Sequence, residues 1–506
     1  MLTFKRIIYI VILVISVQPL WATEPTVTLT SALTLAQGDH APFWLTANRH
    51  GIGSLALGQA YLRASAIGAD DQSRRFGYEY GVDLLGGWNL ERPVLAQQYY
   101  AGVRYGCWSL TLGAKEHASQ GKNALLSTGG LTWSGNARPI PQARFGIYEY
   151  TDVPFLDGWA QVKGFFSYGR ATDDRFLKQF ASRTLGNTYL LGTIIHEKSA
   201  FLKLGKASRF PLTFEAGLEL DSQFGGAKYR HVADGETLLY TMPTHAMDYV
   251  RAFLCLPGGS DATECDQINI AGNVLGSWHF AFNYDAPADW HFRTYYEHYF
   301  EDRSGMTGIS HPYLIDGRQV LYIYPWHDGL WGLETTFPAN PVLGTLVFEF
   351  VNTRYMSGPM QTESMTSIHQ RVFGLDGYYN HSEYNSWSHH GFSIGTPLAY
   401  SPLYNEDGSL RIPYNRFRTL HLGLGNTLSA AWQWRFLLTH SKEWGFYTTP
   451  LPTPAHQWHS LLEVTWTPTS RPSWTGWSFV ASAALDRGPL TGPSTGFQLG
   501  ISKTLF

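Results

Sequence analysis

Hydrophobic and polar residues alternate along much of this chain. In FGYEYGVDLL, Phe76, Tyr78, Tyr80, Val82 and Leu84 fall on one side of an extended backbone, and Gly77, Glu79, Gly81 and Asp83 on the other. TFEAGLELD sets Phe214, Ala216, Leu218 and Leu220 against Thr213, Glu215, Gly217, Glu219 and Asp221. SWHFAFNYD sets Trp278, Phe280, Phe282 and Tyr284 against Ser277, His279, Ala281 and Asn283. In GFQLGISKTLF, Phe497, Leu499, Ile501 and Leu505 share a face that Lys503 interrupts. Period-two segments of about ten residues predict β-strands, either of a sandwich or of a membrane barrel. A sandwich would present many Lys and Glu to water on its polar faces. Here those faces carry mostly Gly, Ser, Thr, Gln and scattered carboxylates, while the apolar faces are rich in aromatics. That pattern fits lipid outside and a hydrated lumen inside.

The chain opens with Lys5 and Arg6, an apolar run from Ile7 to Val17, Pro19 and the small residue Ala22. This reads as a secretory signal peptide over 1–22, too short for a membrane anchor, which needs about 20 apolar residues. No later apolar run is long enough for a spanning helix, so a membrane form must be a closed barrel. The expected organisation is a signal peptide (1–22), a pre-barrel plug or periplasmic cap (23–57), and a barrel over 58–506 with longer inserts near 113–141, 171–210 and 227–272. The fold class expected is all-β, a large antiparallel transmembrane β-barrel of about 18 strands, with a few short helices at the periplasmic end or in the lumen. Phe176, Leu177 and Phe180 have helical spacing and predict one such helix over about 172–183. Asp157-Gly158, Asp376-Gly377 and Asp407-Gly408 are turn signals.

Composition agrees. Charged residues make up only 15% and aromatics also 15%, with a net charge of −3. There is no basic field for nucleic acid. Cys255 and Cys265 bracket a Gly- and Asp-rich loop and could close a small disulfide; Cys107 is left over in an aromatic stretch. A final Phe506 on an amphipathic strand resembles the signal read by the barrel assembly machinery.

Chemistry concentrates in LDGYYNHSEYNSWSHHGFSIGTPL, residues 375–398. His381, Glu383, His389 and His390 are metal-ligand types, but HExxH or comparable spacing is absent. His327 and Asp328 are adjacent, so on a strand they would point to opposite faces and form no ready dyad; a GxSxG elbow is also absent. The reading is therefore non-enzymatic, with no metal and no cofactor. Sugar sites pair aromatic platforms with a few convergent polar groups. Tyr378, Tyr379, Tyr384 and Trp387 supply the platforms, and Asn380, His381, Glu383, Asn385 and His389 the hydrogen bonds. Trp326, His327 and Asp328 of YPWHDGL join the candidate glycan contacts. The plainer alternative is that these aromatics form an interface belt or packing. The lumen carboxylates Glu79, Asp83, Glu215, Glu219 and Asp221 could line a sugar path, or pair with Arg63, Arg104, Arg144 or Lys163 to plug the barrel.

APFWLTANRHGIG (41–53) resembles the N-terminal signature of the capsule-assembly Wzi family of Gram-negative outer membranes. IPQARFGIYEYTDVPFLDGWAQVKGFFSYG (140–169), IIHEKSAFLKLGK (194–206), YYEHYFEDRSGM (295–306), DGLWGLETTFP (328–338) and FEFVNTRYMSGPM (348–360) follow in order, covering nearly the whole mature chain. The resemblance implies a lectin-like outer-membrane barrel that anchors or assembles capsular polysaccharide at the cell surface. Its expected partners are capsular or other surface polysaccharide, outer-membrane lipid, the barrel assembly machinery during biogenesis, and capsule-export proteins. A porin-like channel for sugars or small solutes is the alternative.

Overall fold

In the computed structural model the described residues are 25–505, except 264–265, 268–269, 302–304, 307–312, 316–317, 321–323, 339, 359–360, 365–369 and 374. The expected signal peptide, Cys265 with its disulfide, and Phe506 lie outside them. Eighteen antiparallel strands close into a barrel. In chain order they are β1 Thr26–Gly38, β2 Gly58–Gly68, β3 Phe76–Trp88, β4 Val94–Tyr105, β5 Trp108–Ala114, β6 Gln142–Asp152, β7 Ala160–Arg170, β8 Ile194–Leu204, β9 Leu212–Phe224, β10 Asn273–Ala286, β11 Trp290–Glu301, β12 Gly329–Thr336, β13 Thr345–Asn352, β14 Phe417–Thr427, β15 Trp432–Gly445, β16 Pro450–Trp466, β17 Trp477–Arg487 and β18 Ser494–Thr504. Each pairs with its chain neighbours, and β1 pairs with β18 from Thr28↔Thr504 to Gly38↔Ser494, which closes the cylinder. The expectation of a pre-barrel segment over 23–57 is therefore corrected: β1 is a wall strand, and only 39–57 leaves the wall. Its alternation of Leu29, Leu33 and Leu35 with Thr28, Thr30 and Thr34 carries no aromatic, so its strand pattern is weaker than that of the other segments.

The alternation of the other segments is the inside–outside alternation of the wall. Phe497 and Leu499 of β18 are 60% and 61% exposed on the outer face. Apolar outward residues such as Leu333, Phe348, Leu420 and Leu462 continue that face around the barrel, as a lipid-facing surface requires. Among the described residues no helix is long and apolar enough to cross a membrane. Connections are short at the end where β1 begins and β18 finishes, as at 106–107 and 287–289. At the opposite end 39–57, 115–141, 171–193, 225–272, 302–328 and 353–416 are long. Short turns face the periplasm and long loops the exterior in barrels of this kind. Helix α1 (Phe43–Thr46) is wholly buried, α2 (Asp174–Ala181) buries Phe176, Leu177 and Phe180, and α3 is Ala246–Leu254. All three belong to the long-loop end, not to the periplasmic end expected for some of them.

A barrel of this size would enclose a water-filled channel if nothing entered it. Here, among the described residues, three connections do. Phe43, Trp44 and Leu45, then Leu126, Leu131 and Trp133, then Tyr378, Tyr379, Trp387, Phe392 and Tyr400 form one buried core with inward wall residues such as Tyr295, Tyr299, Val347 and Leu437. Buried backbone N–H groups cannot be left unpaired, and wall carboxylates accept them. Asp486 of β17 accepts from Phe43 N at 2.8 Å. Glu349 of β13 accepts from Thr128 N at 2.8 Å, Ser127 Oγ at 2.6 Å and Tyr295 Oη at 2.6 Å. Glu297 of β11 accepts from Leu131 N at 2.7 Å and pairs with Lys122 at 2.9 Å. Glu301 accepts from Tyr379 N. The inward carboxylates thus fasten the infolded loops to the wall, residue by residue.

Candidate functional site

The stretch 375–398 lies inside this core. Tyr378, Tyr379 and Trp387 are 0% exposed, and Tyr384 and His389 are also buried. Their polar atoms are satisfied within the chain. Tyr378 Oη donates to Asp328 Oδ2 at 2.9 Å, Tyr379 Oη to Leu131 O at 2.9 Å, and Trp387 Nε1 to Thr132 O at 2.8 Å. Tyr384 Oη donates to Asp266 Oδ2 at 3.0 Å, and His389 Nε2 accepts from Thr172 N at 3.2 Å. Asn380 brackets Ile412, accepting from its N at 2.8 Å and donating to its O at 2.9 Å. The expectation that Tyr378, Tyr379, Trp387 and His389 touch glycan is corrected: a side chain with no exposed surface whose polar atoms bond within the chain offers a sugar nothing. Half-buried Asn380 has its amide committed to Ile412. His381 and Glu383 sit half-buried at the edge of this region, with Glu383 held by Lys228 at 3.4 Å and by Tyr240.

The WHD triplet is divided. Asp328 is buried and also accepts from Tyr355 N at 3.0 Å. Burial pushes its carboxyl up to about 7, against the pull of these donors. Trp326 turns to the outer wall and stacks on His298 at 4.2 Å, and exposed His327 lies 5.2 Å from Tyr355. The three therefore do not form one site with 378–389.

Several lumen charges pair as expected of a plugged barrel. Arg63 meets Asp83 and Glu116, Arg104 meets Asp70, and Glu215 meets Arg293 at 3.1 Å. Two expected pairings fail: Lys163 donates to Gln120 at 2.8 Å, and Arg144 lies 3.5 Å over the Phe165 ring. Glu219, His279 and Glu297 come within metal-binding distance of one another. His279 is 3.0 Å from Glu219 and Lys122 is 2.9 Å from Glu297, so each carboxylate has a partner within the chain. Tyr400, His459 and Asp486 form a chain of contacts at 3.0 and 2.8 Å that looks catalytic. All three are buried, and Phe43 stacks on His459 at 4.3 Å, which closes the triad to any substrate.

Among the described residues two polar-lined recesses lie open at the barrel ends. At the long-loop rim, β5 stops at Ala114 and the chain dives into the lumen. Beside it lie the hairpin Ala227–Val232 and Gly235–Thr241, which pairs with Thr188–Leu191, and helix α3. Between them lies a recess of about 800 Å³ lined by Gln142, Tyr168, Arg170, Thr241, Thr244 and Tyr249, among others. Tyr168 stacks on His196 at 4.4 Å and donates to Tyr249 O at 2.8 Å, and Tyr249 packs edge-on to Phe224 at 5.1 Å. The aromatic walls are therefore braced, and Arg170, Gln142 and Thr244 supply polar groups beside them. At the opposite end a recess of about 440 Å³ is lined by Glu79, Arg104, Thr111, Lys115, Tyr148 and Tyr150, among others, with Lys115 2.6 Å from Glu79. Sequence reasoning had singled out Glu79 and Arg104 but none of the rim set. The available signal was aromatic SYGR closing a strand immediately before a long insert.

No protein-family model matches the chain, and no curated protein matches it in sequence. Among solved structures it is similar to Wzi of Escherichia coli, described as an outer-membrane protein involved in group 1 capsule assembly and a carbohydrate-binding β-barrel. The two share 12% identity with a TM-score of 0.53, over 94% of this chain and 84% of that one. It also aligns with OprD of Pseudomonas aeruginosa, at 10% identity and a TM-score of 0.45, over 95% and 93% of the two chains. With OccK3 of the same organism the identity is 10% and the TM-score 0.43, over 95% of each chain. At these identities the likeness to Wzi is one of fold, and together with the closed wall and its apolar outer face it makes this chain an outer-membrane-type β-barrel.

Proposed function

We propose that this outer-membrane barrel binds polysaccharide at its cell-surface rim, without catalysis, and helps to hold or assemble a capsule. The observation that carries this reading is the packed lumen. Three loops fill it with a continuous apolar core whose backbone is hydrogen-bonded to wall carboxylates, an arrangement suited to holding a ligand outside rather than passing one through. The rim recess supports the same reading. Its braced Tyr168 and Tyr249 and its polar Arg170, Gln142 and Thr244 match what a sugar ring requires, an apolar face to stack on and hydroxyl partners at its edge. The carbohydrate-binding described for Wzi lends the ligand class, and the family resemblance of the sequence motifs lends the capsule.

The test is equilibrium binding of the folded, detergent-solubilised barrel to the capsular polysaccharide of its own source, beside an unrelated acidic polysaccharide. Saturable, selective binding that Tyr249→Ala weakens is the expected result. Absence of binding by folded protein would remove the reading. A solute channel is the second reading, favoured by the charged recess at the periplasmic end, which would be its vestibule.

A further inference from the structure

The outer wall carries a cluster of cations at the long-loop end of β13, β14 and β15. On β15, Ser441 and Glu443 are buried inward while Lys442 and Trp444 turn out. On β14, Phe417 and Thr419 are buried and Arg418 turns out. Exposed Arg354 follows the end of β13. All three cations converge on one indole: the Arg354 guanidinium lies 4.6 Å from the Trp444 ring centre, Lys442 Nζ 5.4 Å and the Arg418 guanidinium 5.9 Å. Arg416 adds a fourth charge, 4.9 Å over Tyr447, and its Nε has no hydrogen-bond partner.

Several arginines elsewhere meet carboxylates, as Arg138 meets Glu91, Arg293 meets Glu215 and Arg435 meets Glu463. Among the described residues none of these four does. Arg418 donates only to neutral oxygens, Asn352 Oδ1 at 3.0 Å and Tyr355 Oη at 3.4 Å. Three like charges around one ring repel one another, and cation–π attraction at a partly exposed site offsets little of that. A nearby anion would offset it.

The position of the cluster indicates which anion. On the same outer face Leu420, the next outward residue after Arg418 on β14, is 48% exposed, and Phe348, further along β13, is 42% exposed; on β15 His440 follows Lys442. At the other end of that face Trp432 stacks on Trp466 at 5.8 Å, and Trp466 packs against Phe479 at 5.2 Å, an aromatic girdle in which Lys503 lies over Trp477 at 5.6 Å but, among the described residues, no three cations share a ring. From Trp432 to Trp444 along β15 is about 40 Å at the extended rise, or about 30 Å along the membrane normal at the usual tilt. The two belts are therefore one hydrocarbon thickness apart, and the cationic belt lies at headgroup depth on the cell-surface side. A soluble polysaccharide approaches from above the rim, whereas a lipid headgroup sits against this wall.

We propose that Arg354, Arg418 and Lys442, ranged around Trp444, bind the phosphate groups of an outer-leaflet glycolipid whose acyl chains lie on Leu420 and Phe348. The site is separate from the rim recess and does not depend on the polysaccharide reading.

The experiment titrates full-length barrel in detergent micelles with diphosphorylated lipid A, and in parallel with dephosphorylated lipid A, counting bound lipid by native mass spectrometry. Wild type is expected to prefer the phosphorylated form. Each of R354Q, R418Q and K442Q is expected to weaken it about fivefold, and the triple variant roughly 100-fold, at about one thermal-scale contact per cation. Binding of dephosphorylated lipid should stay unchanged. Heat-modifiable gel mobility identifies folded protein, and the single variants carry the test if the triple variant does not fold. Equal binding of both lipids by wild type would overturn the proposal, as would undiminished phosphate preference in the folded variants. Displacement of the lipid by an acidic polysaccharide, with the same loss in the variants, would also overturn it by assigning the cluster to glycan.

Discussion

Residues 375–398 and the arm at 225–256 are both long-loop segments with aromatics and hydrogen-bonding side chains, yet the barrel uses them in opposite ways. The first folds inward until Tyr378, Tyr379 and Trp387 lose all contact with solvent, and its polar atoms find partners far away in the chain. The second stays at the rim, where its hairpin meets the first segment through Lys228 and Tyr240 at Glu383. Helix α3 leaves Met247, Val250, Phe253 and Leu254 exposed, and Tyr249 walls a recess. Aromatic platforms and convergent polar groups describe a sugar site and a wet-edged protein core equally well. What separates them is who supplies the partners.

The largest effect is expected from the inward segment. Trp387→Ala removes a buried indole and orphans Thr132 O, and should lower stability by about 3–5 kcal/mol, read as the unfolding midpoint of the refolded barrel. If the midpoint holds, the segment is not core. Next comes Glu349→Gln, which loses a charged acceptor shared by Ser127, Thr128 and Tyr295. A cost of about 2–3 kcal/mol is expected, with new protease cleavage inside 115–141 as the loop comes away from the wall.

Acid should weaken the same segment. Burial pushes His389 and His390 down to about 4. Between about 4 and the ordinary histidine value of about 6.5, the folded chain thus binds fewer protons at these two rings than the unfolded chain. Their contribution is complete above that window and is lost as pH falls through it. Burial pushes His381 down to about 4 as well. Asp328, raised to about 7, and Asp173 and Asp266, also raised by burial, act in the opposite sense against these three rings. Glu91 is not engaged there: His390, Arg138 and Arg92 outweigh its burial and hold it at about 2. The midpoint should therefore be lower at pH 5 than at pH 7.5; the reverse order would mean that the rings are reached by water. The smallest effect is at the arm. Tyr249→Ala should leave the midpoint unchanged and weaken glycan affinity about tenfold. A lower midpoint with unchanged affinity would turn the comparison round.

The wall was legible because lipid on one side and polar contents on the other impose a strict period of two. FGYEYGVDLL, TFEAGLELD and SWHFAFNYD all lie in strands with the expected faces. The helix expected near 172–183 is α2, shortened to Asp174–Ala181. Asp157 and Gly158 form a turn with φ of 46° and 75°, the left-handed values that Asp-Gly tolerates. The site was not legible. Whether Trp387 faces a sugar or Thr132 depends on a contact across 255 positions, and Tyr379 reaches Leu131 across 248. Local composition contains no trace of either. The rim recess was missed for the same reason, since it joins the ends of β6 and β7 to an arm that begins after β9.

The central claim is that the lumen is a packed core and the ligand surface lies at the rim. Single-channel recording of the full-length barrel in a planar bilayer tests it most directly. The account predicts a silent membrane for wild type, with current steps emerging only when Glu349→Gln or Trp387→Ala loosens the infolded loops. Steady open-channel current from the wild-type barrel would contradict it and leave the charged periplasmic recess as the mouth of a pore.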